Sequence, residues 1–398
     1  MLRFKHFIGS ILLITGTTIG GGMLALPILT SQGGFLPSIV IYLLTWLFMA
    51  STGLLLLEMC LWHKTETNIV TLAHKTLGKF GLVSTWIIYL FFFYCLTIAY
   101  VVGVQSFVNY FLGENLSPWF SAFVFLVIFA PIIYIGARAV EGVNNVFMIG
   151  LIVSYFIFVY LGIPHIQFDR LMQMNVKYSL IAFPVIFVSF GFQGIVPSIT
   201  FYLKKNVKAI RLTILIGSFI PFLVYILWEG LILGIVPQSF LTSAIIKGQN
   251  AITPFQEVIG RQKITFIGQA FGFFALATSL LGITLGLRDF LADGLKIKKD
   301  STGRAILVAI IFLPPVILGV YCPWIFLKAL KLAGGVGSAL ILGLLPIVMV
   351  WSKRYIKKFD DQGYKVAGGK PFLIILALFC LFEITFVALE SFGVLKLF

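Results

Sequence analysis

The chain has 398 residues, of which 60% are hydrophobic and 11% charged, and its formal net charge at pH 7 is +15. Soluble domains contain about 25% charged residues, so this composition excludes a soluble fold and indicates an integral membrane protein. A basic chain could bind nucleic acid, but the distribution of its basic residues, described below, argues against that function.

An α-helix needs about 20 mostly apolar residues to cross a bilayer, and eleven segments of the chain meet this requirement. We number them spans 1 to 11 in chain order: 7–29, 34–61, 81–112, 119–136, 145–163, 179–203, 212–236, 263–287, 304–322, 335–351 and 371–395. The intervening segments are too short for a soluble domain. We therefore predict an all-α integral membrane protein that forms a single domain over residues 1–398, surrounded by lipid.

Span 1 contains a cluster of helix-breaking residues. Its central segment is Gly16, Thr17, Thr18, Ile19, Gly20, Gly21, Gly22 and Met23, and Pro27 follows. Gly16 and Gly20 alone would match the spacing of small residues that lets helices pack closely. Three adjacent glycines and a proline exceed what packing requires, and lipid offers no partners to the backbone groups that an opened helix releases. We predict an unwound segment whose free N–H groups bind a carboxylate at the start of the following half-helix.

Span 6 contains a second predicted break. It consists of Ser189, Phe190, Gly191, Phe192, Gln193 and Gly194, and Pro197 follows. Carbonyl groups released here could accept hydrogen bonds from an ammonium group. The two phenylalanines either line a pocket or are ordinary packing residues in a chain with 41 phenylalanines. Gln193 is the more specific candidate, because a buried amide needs hydrogen-bond partners.

Span 8 carries two adjacent hydroxyls, Thr278 and Ser279, one turn after Ala275. Such hydroxyls commonly bond back to the carbonyl one turn earlier. The alternative is a site for a hard monovalent cation, formed by both hydroxyls, the Ala275 carbonyl and the carbonyls that the first break releases at Gly16 and Ile19. Both interpretations remain open.

The two breaks occupy spans 1 and 6, five spans apart, so the corresponding helices cross the membrane in opposite directions. This spacing predicts an inverted repeat of five plus five spans, approximately 7–163 and 179–351, with span 11 (371–395) as an addition. Paired broken spans are the pattern of a binding site in secondary transporters.

Most of the 29 Lys and Arg lie before span 1 and in the loops that follow even-numbered spans. Cytoplasmic loops are enriched in these residues, so we predict a cytoplasmic N terminus and, with eleven spans, a C terminus outside. The basic charge thereby indicates topology and gives no reason to expect a nucleic-acid partner.

Four acidic residues lie within spans or near their ends: Glu58, Glu229, Glu383 and Glu390. Acidic groups in a membrane are functional candidates by default, and the deeper pair, Glu229 and Glu383, could carry a coupled proton. The four histidines lie outside the spans without partner spacing, and no hydrolase or nucleotide-binding motif is present. We therefore predict no enzyme activity, no catalytic residues and no cofactor. A channel or a non-transporting receptor remains a distant alternative.

These motifs resemble those of a known group of permeases. Segments 16–27 and 187–198 resemble the span 1 and span 6 signatures of bacterial aromatic amino-acid permeases, the tyrosine- and tryptophan-specific group of the amino acid–polyamine–organocation superfamily. Segments 277–282 and 289–293 resemble its span 8, and 312–315 resembles its span 9. The resemblance extends over essentially the whole chain and is closest to the tyrosine-specific members.

The resemblance implies an inner-membrane symporter that imports tyrosine, with tryptophan or another neutral amino acid as the alternative. It places the substrate between spans 1 and 6, near the candidate residues named above, with walls from spans 3 and 8 that could include Tyr94 and Phe271 or Phe274. Members of the group are generally described as proton-driven, whereas Ala275, Thr278 and Ser279 resemble the sodium site of more distant relatives. The resemblance therefore leaves the coupling ion, H⁺ or Na⁺, open, and implies no other metal.

Overall fold

The structure is a computed structural model that describes residues 4–63, 68–113, 117–260, 262–357 and 363–392. Within these residues, ten helices are long and apolar enough to cross a membrane, and a bent pair of helices at the N terminus forms an eleventh candidate span. The prediction of an all-α membrane protein is confirmed. Regular strands are absent from the described part of the chain, where β-pairing is limited to one isolated bridge between Gly34 and Met174.

The helices follow the predicted spans closely. Span 1 consists of half-helices 1a (Phe4–Thr18) and 1b (Gly22–Thr30), and span 6 of half-helices 6a (Phe183–Ser189) and 6b (Val196–Tyr202). The uninterrupted spans are span 2 (Phe35–Leu61), span 4 (Pro118–Ile135), span 5 (Ala137–Gly162), span 7 (Val207–Ile235), span 8 (Gln262–Gly294), span 9 (Ser301–Tyr321) and span 11 (Gly369–Ser391). Short helices Phe168–Leu171, Gln238–Lys247 and Ile252–Ile259 connect spans 5 to 6 and 7 to 8.

Span 3 lies within a longer helix, Ile69–Leu112, that contains a kink. Gly78 has a φ of 71°, a left-handed conformation that glycine adopts without steric cost. The kink separates span 3 from a short amphipathic helix that begins at Asn68, whose side chain accepts a hydrogen bond from the Thr71 N–H at 2.8 Å.

Span 10 is longer and less regular than predicted. It runs from Ile325 to Ile356 rather than over 335–351, and its segment Ala333–Leu344 is a π-helix. The glycines of this segment allow close approach to neighbouring helices: a methyl group at Gly334 would overlap the Pro184 carbonyl of half-helix 6a, and one at Gly335 would overlap Val387 of span 11. Apolar length alone does not reveal such local changes in helix type.

Burial separates a central group of helices from a peripheral one. In their most apolar windows, spans 6 and 10 are each 72% buried within the protein, whereas spans 4 and 5 are each 28% buried. Every residue of half-helix 1b is buried. Half-helix 1b and span 6 therefore lie in the interior, where neighbouring helices can supply partners to released backbone groups.

Candidate functional site

The first break separates half-helices 1a and 1b, which are bent by 52°. Of the four consecutive amide groups here, that of Gly21 donates to Ser279 Oγ at 3.3 Å and that of Met23 to the Gly20 carbonyl at 3.0 Å. Among the described residues, the N–H groups of Gly20 and Gly22 have no hydrogen-bond acceptor. The opened segment thus presents two free donors beside the positive end of half-helix 1b, a suitable arrangement for an anion.

The glycines of this break also allow four helices to meet. A methyl group at Gly20 would overlap Ser279 Oγ, and one at Gly22 would overlap Ser189 Oγ. A methyl group at Gly21 would overlap Leu276 and lie 2.6 Å from the ring of Tyr100. Spans 3, 6 and 8 therefore contact the opened backbone directly.

The remaining residues of the first break lie in different surroundings. Thr18 is buried and its hydroxyl donates to the Ile14 carbonyl at 2.8 Å. Thr17 is exposed and donates to Leu13, so its side chain lies outside the contact between the breaks. Gly16 faces span 5, where a methyl group would lie 3.1 Å from Met148 Cε. Ile19 is half-buried and packs against the core.

The second break lies between half-helices 6a and 6b and includes a 3₁₀ turn, Gln193–Ile195. Its Ser189 hydroxyl donates back to the Val185 carbonyl at 2.7 Å, and the Ser189 carbonyl has a hydrogen-bond partner in span 7, the Tyr225 hydroxyl, at 2.8 Å. The Gly191 N–H donates to Val188 at 3.1 Å, and a methyl group at Gly191 would lie 2.7 Å from Leu342 Cδ1 in span 10.

The large side chains of this break have separate environments. Phe190 is buried, with its ring 5.2 Å from that of Tyr225 and 6.0 Å from that of Tyr42. Phe192 packs instead against span 2, where a methyl group at Gly53 would lie 2.8 Å from its ring. Only Phe190 therefore stands in the aromatic cluster next to the first break.

Gln193 is fully buried and its amide has partners within the protein. Its Oε1 accepts from the Phe192 N–H at 2.9 Å, and its Nε2 donates to Thr52 Oγ1 at 2.9 Å and to the Met49 carbonyl at 3.2 Å. These bonds fasten the second break to span 2. Sequence reasoning correctly expected partners for this amide, but the structure supplies them from span 2.

A side chain that sequence reasoning missed joins the two breaks. The hydroxyl oxygen of Tyr225, in span 7, lies 2.7 Å from the Thr18 carbonyl oxygen and 2.8 Å from that of Ser189. One turn further along span 7, Trp228 Nε1 donates to the Met23 carbonyl at 2.9 Å. Tyr225, Trp228 and Glu229 have the i, i+3, i+4 spacing of one helix face, and that spacing was the available signal.

The carboxyl group of Glu229 is also engaged by the broken span. Its Oε1 contacts Thr30 Oγ1 at the end of half-helix 1b, and its Oε2 accepts from the Tyr42 hydroxyl at 2.8 Å. Glu229 is fully buried. Span 7 thus contacts both ends of half-helix 1b and the end of half-helix 1a.

The hydroxyls of span 8 bond back along their own helix. Thr278 Oγ1 donates to Phe274 at 2.8 Å, with Ala275 at 3.2 Å, and Ser279 Oγ donates to Ala275 at 3.0 Å. Ser279 also accepts from Gly21, so the structure does bring span 8 to the first break, through Gly20 and Gly21. The described residues contain no cluster of His, Cys, Asp and Glu that could hold a metal ion.

The suggested wall residues differ in position. Phe271 is buried with its ring 5.0 Å from that of Trp228, whose indole contacts the break. The Tyr94 hydroxyl donates to the Ile310 carbonyl of span 9 at 2.8 Å, and Phe274 packs against span 5 at Gly150. The span 3 aromatic residue at the first break is Tyr100 rather than Tyr94.

Comparison with known proteins assigns the chain to a family. The model of the tryptophan/tyrosine permease family matches residues 3–387. Tyrosine-specific transport system 1 of Haemophilus influenzae is 35% identical over 381 residues, which cover 93% of each chain. The tryptophan-specific transport protein of the same organism is 29% identical over 96% of this chain and 95% of its own length. The low affinity tryptophan permease of Escherichia coli K12 is 29% identical over 96% and 97%, respectively.

These relatives are transport proteins and not enzymes, as predicted from the sequence. Together with the candidate spans, they indicate a multi-pass protein of a bacterial inner membrane whose substrate is an amino acid. The family match extends over nearly the whole chain, and we conclude that the protein belongs to the tryptophan/tyrosine permease family.

Proposed function

We propose that this protein imports tyrosine by cation-coupled symport with alternating access, and that the amino acid binds between the breaks of spans 1 and 6. The observation that carries the proposal is the direct contact of Gly22 in one break with Ser189 in the other. Free N–H donors lie on one side of this contact, and carbonyl acceptors on the other. A zwitterion requires both kinds of group within a few ångströms.

The carboxylate of the substrate binds the N–H groups of Gly20 and Gly22. Both N–H groups lack an acceptor among the described residues. Gly22 is the first residue of half-helix 1b, and Gly20 lies two residues before it. The helix dipole adds to the attraction, since several aligned peptide groups point their positive ends at this position. The N–H groups of Gly21 and Met23 complete the site when they exchange their present partners for the carboxylate.

The ammonium group of the substrate binds the carbonyls of Thr18 and Ser189. Tyr225 has a single hydroxyl proton, so it donates to only one of these two oxygens at a time. The other carbonyl is then left without a hydrogen-bond donor. An ammonium group has three donors and no acceptor, which suits two converging carbonyls and the Tyr225 oxygen.

The aromatic side chain of the substrate packs among Phe190, Tyr42, Tyr100 and Phe271. Tyrosine is the proposed substrate because a relative with 35% identity is named a tyrosine-specific transport system. Tryptophan is the second candidate, since other relatives are named tryptophan-specific. A change of shape in an apolar pocket alters specificity by a modest factor, so competition is the measurement that separates the two.

The coupling cation is a proton or sodium. For sodium, the candidate oxygens are the hydroxyls of Thr278 and Ser279 and the carbonyls of Gly16, Ile19 and Ala275. For a proton, the candidates are the buried carboxyl groups of Glu229 and Glu383. We further propose that spans 1–5 and 6–10 are inverted repeats, with the N terminus in the cytoplasm and the C terminus outside.

Uptake of radiolabelled tyrosine into proteoliposomes tests the function. We expect saturable accumulation that an imposed proton or sodium gradient drives, and that unlabelled tyrosine blocks but leucine does not. Stronger competition by tryptophan than by tyrosine would move the assignment to the second candidate. Equilibration without accumulation under any gradient would indicate a channel and overturn the proposal.

A further inference from the structure

Glu229 is a fully buried carboxyl group without a basic partner. The ion pairs of the described residues are Lys299–Asp289, Lys331–Glu390 and Arg354–Glu58, and Glu229 belongs to none of them. Its contacts are two neutral hydroxyls, those of Thr30 and Tyr42. Ionisation of a carboxyl group in such surroundings has a large free-energy cost, so the group is held neutral unless water or a cation reaches it.

The contacts of Thr30 indicate where the proton lies. Its Oγ1 is 2.7 Å from the Leu26 carbonyl and is also in contact with Glu229 Oε1. The hydroxyl has one proton, and the Leu26 carbonyl can only accept. If Glu229 is ionised, the single Thr30 proton is shared between two acceptors, the Leu26 carbonyl and the carboxylate. If Glu229 is protonated, Thr30 can donate to Leu26 while the acid donates to Thr30, so only the acid gives each of the two contacts its own proton.

The same carboxyl group is connected to the first break through half-helix 1b and to the second through Tyr42. Thr30 ends half-helix 1b, whose first turn is held by the neighbouring Trp228 through the Met23 carbonyl. Tyr42, the partner of Oε2, has its ring 6.4 Å from that of Tyr225 and 6.0 Å from that of Phe190. Loss of the proton would leave a buried negative charge and two acceptors for the single Thr30 proton, which would favour a movement of half-helix 1b that admits water.

A cavity of about 360 Å³ lies next to this group. Its lining includes Ser31, which follows Thr30, and Leu233, which lies one turn beyond Glu229, together with Gln32, Arg170, Asn175 and Gln238. The cavity is at the end of the bundle that the distribution of basic residues places outside the cell. The cavity therefore comes within one residue of Thr30 and one helical turn of Glu229 along the chain, although neither side chain lines it.

Other titratable groups occur on the elements that pack against this end of span 7. They are Tyr42 in span 2, Tyr155 in span 5, His165, Asp169 and Arg170 in the segment after span 5, and Glu257 in helix Ile252–Ile259. Of these, only Tyr42 is hydrogen-bonded to the Glu229 carboxyl group. Arg170 donates to the Ile235 carbonyl at the end of span 7.

We propose that Glu229 is the proton-binding site through which this protein couples tyrosine import to the proton gradient. A proton from water in the cavity binds the carboxylate, the acid donates to Thr30 and closes half-helix 1b over the substrate, and the same proton leaves to cytoplasmic water after release. The inference rests on the proposed function, because it assigns the coupling ion of that transport cycle. It also separates Glu229 from Glu383, which is fully buried as well and, unlike the buried Glu58, belongs to none of these ion pairs of the described residues.

The test compares Glu229→Gln with a matched control, Glu383→Gln, in proteoliposomes. Both substitutions replace a fully buried carboxyl group by a neutral amide of similar shape. In Glu229→Gln, we expect tyrosine accumulation driven by a proton gradient to fall at least tenfold below that of the wild type. Exchange of internal for external tyrosine needs no net proton movement, so it should continue. The control should accumulate tyrosine as the wild type does.

Proton uptake on substrate binding gives a second readout that a purely structural role would not change. Titration calorimetry in two buffers with different protonation enthalpies should show about one proton taken up per tyrosine by the wild type above neutral pH. Glu229→Gln should take up none. If that variant does not fold, absence of proton uptake by the wild type, or its loss in Glu383→Gln, would still overturn the assignment of Glu229.

The outcomes separate this inference from the proposed function. Proton-driven accumulation that survives in Glu229→Gln, or that is lost in Glu383→Gln instead, would overturn the assignment of Glu229. Accumulation in the wild type that follows sodium alone would also overturn it and leave tyrosine transport intact. Absence of tyrosine exchange and binding in the folded wild type would reject the proposed function itself.

Discussion

The hydroxyl oxygen of Tyr225 lies 2.7 Å from the carbonyl oxygen of Thr18, and this contact ties span 7 to the end of half-helix 1a. The same hydroxyl is 2.8 Å from the Ser189 carbonyl, so one side chain holds both broken spans together. A released carbonyl group needs a partner when it is buried. Tyr225 provides that partner in the present conformation, and the substrate ammonium competes for it during transport.

Tyr225→Phe is expected to weaken both folding and transport. The substitution removes the single hydroxyl proton that the Thr18 and Ser189 carbonyls share, which costs about 1–3 kcal/mol, and it removes one oxygen from the proposed ammonium site. Thermal unfolding in detergent and tyrosine uptake measure the two effects. Tyr155→Phe is the matched control, because it removes another hydroxyl that bonds to span 7, at the Val224 carbonyl, and not to a residue of either break. Equal uptake by the two variants would contradict the role of Tyr225.

Gly22→Ala is expected to abolish tyrosine binding, whereas Gly9→Ala in the same span should not. A methyl group at Gly22 overlaps Ser189 Oγ, while one at Gly9 meets no atom within 4 Å. Overpacking of this kind costs about 1–3 kcal/mol, and alanine in an open helical position stabilises by up to about 1 kcal/mol relative to glycine. Binding of radiolabelled tyrosine to purified protein is the readout. Normal binding by Gly22→Ala would place the substrate elsewhere.

Replacement of sodium by choline is expected to leave uptake unchanged, and Thr278→Val should behave as the wild type. The Thr278 hydroxyl bonds back to the carbonyls of Phe274 and Ala275 in its own helix. These carbonyls lie within a helix whose backbone can supply donors, so removal of the hydroxyl is expected to have little effect. Uptake at equal proton gradients in the two salts is the measurement. A sodium requirement that disappears in Thr278→Val would instead establish the cation site of span 8 and contradict a proton-only mechanism.

Glu58→Gln is expected to lower the thermal stability strongly. Glu58 is fully buried and pairs with Arg354 through its Nε at 2.7 Å and through its Nη2, while the Val366 N–H donates to it at 2.8 Å. Removal of one partner of a buried pair costs about 3–5 kcal/mol. Asp289→Asn, at the exposed pair with Lys299, should change stability by at most about 1 kcal/mol. Similar unfolding temperatures for both variants would show that the buried pair contributes little.

His63, in the loop after span 2, is expected to make folding sensitive to acid. Burial lowers the pKa of its imidazole, and nearby Lys75, Lys353 and Lys205 lower it further. A base whose pKa is lower in the folded than in the unfolded state stabilises the fold above the unfolded pKa, and this contribution is lost as the pH falls below about 6.5.

The corresponding measurement is the unfolding temperature of the wild type and His63→Gln between pH 7.5 and pH 5. The wild type should lose more stability on acidification than the variant does. His165→Gln, at a position outside this basic cluster, provides the control. A parallel decline in wild type and His63→Gln would show that protonation of His63 does not contribute.

Local patterns were sufficient to predict several features of the site. Gly20, Gly21 and Gly22 predicted the break in span 1, because consecutive glycines weaken a helix wherever they occur. Gly191 and Gly194 predicted the second break for the same reason. The partners of the Gln193 amide could not be predicted in this way. Thr52 and Met49 lie more than a hundred residues away in the chain and reach the amide only when spans 2 and 6 pack together.

The sequence by itself determined that this chain is a membrane protein with two interrupted spans, because hydrophobic length and helix breaking depend on neighbouring residues. Only the tertiary structure decided which groups meet at the breaks: Tyr225 with Thr18 and Ser189, Ser279 with Gly21, and Thr30 with Glu229. Phe190 and Phe192 are the same residue type in the same break, yet Phe190 packs against span 7 and Phe192 against span 2. Such contacts depend on the rotation and depth of each helix in the bundle, which packing between distant segments fixes and local spacing does not.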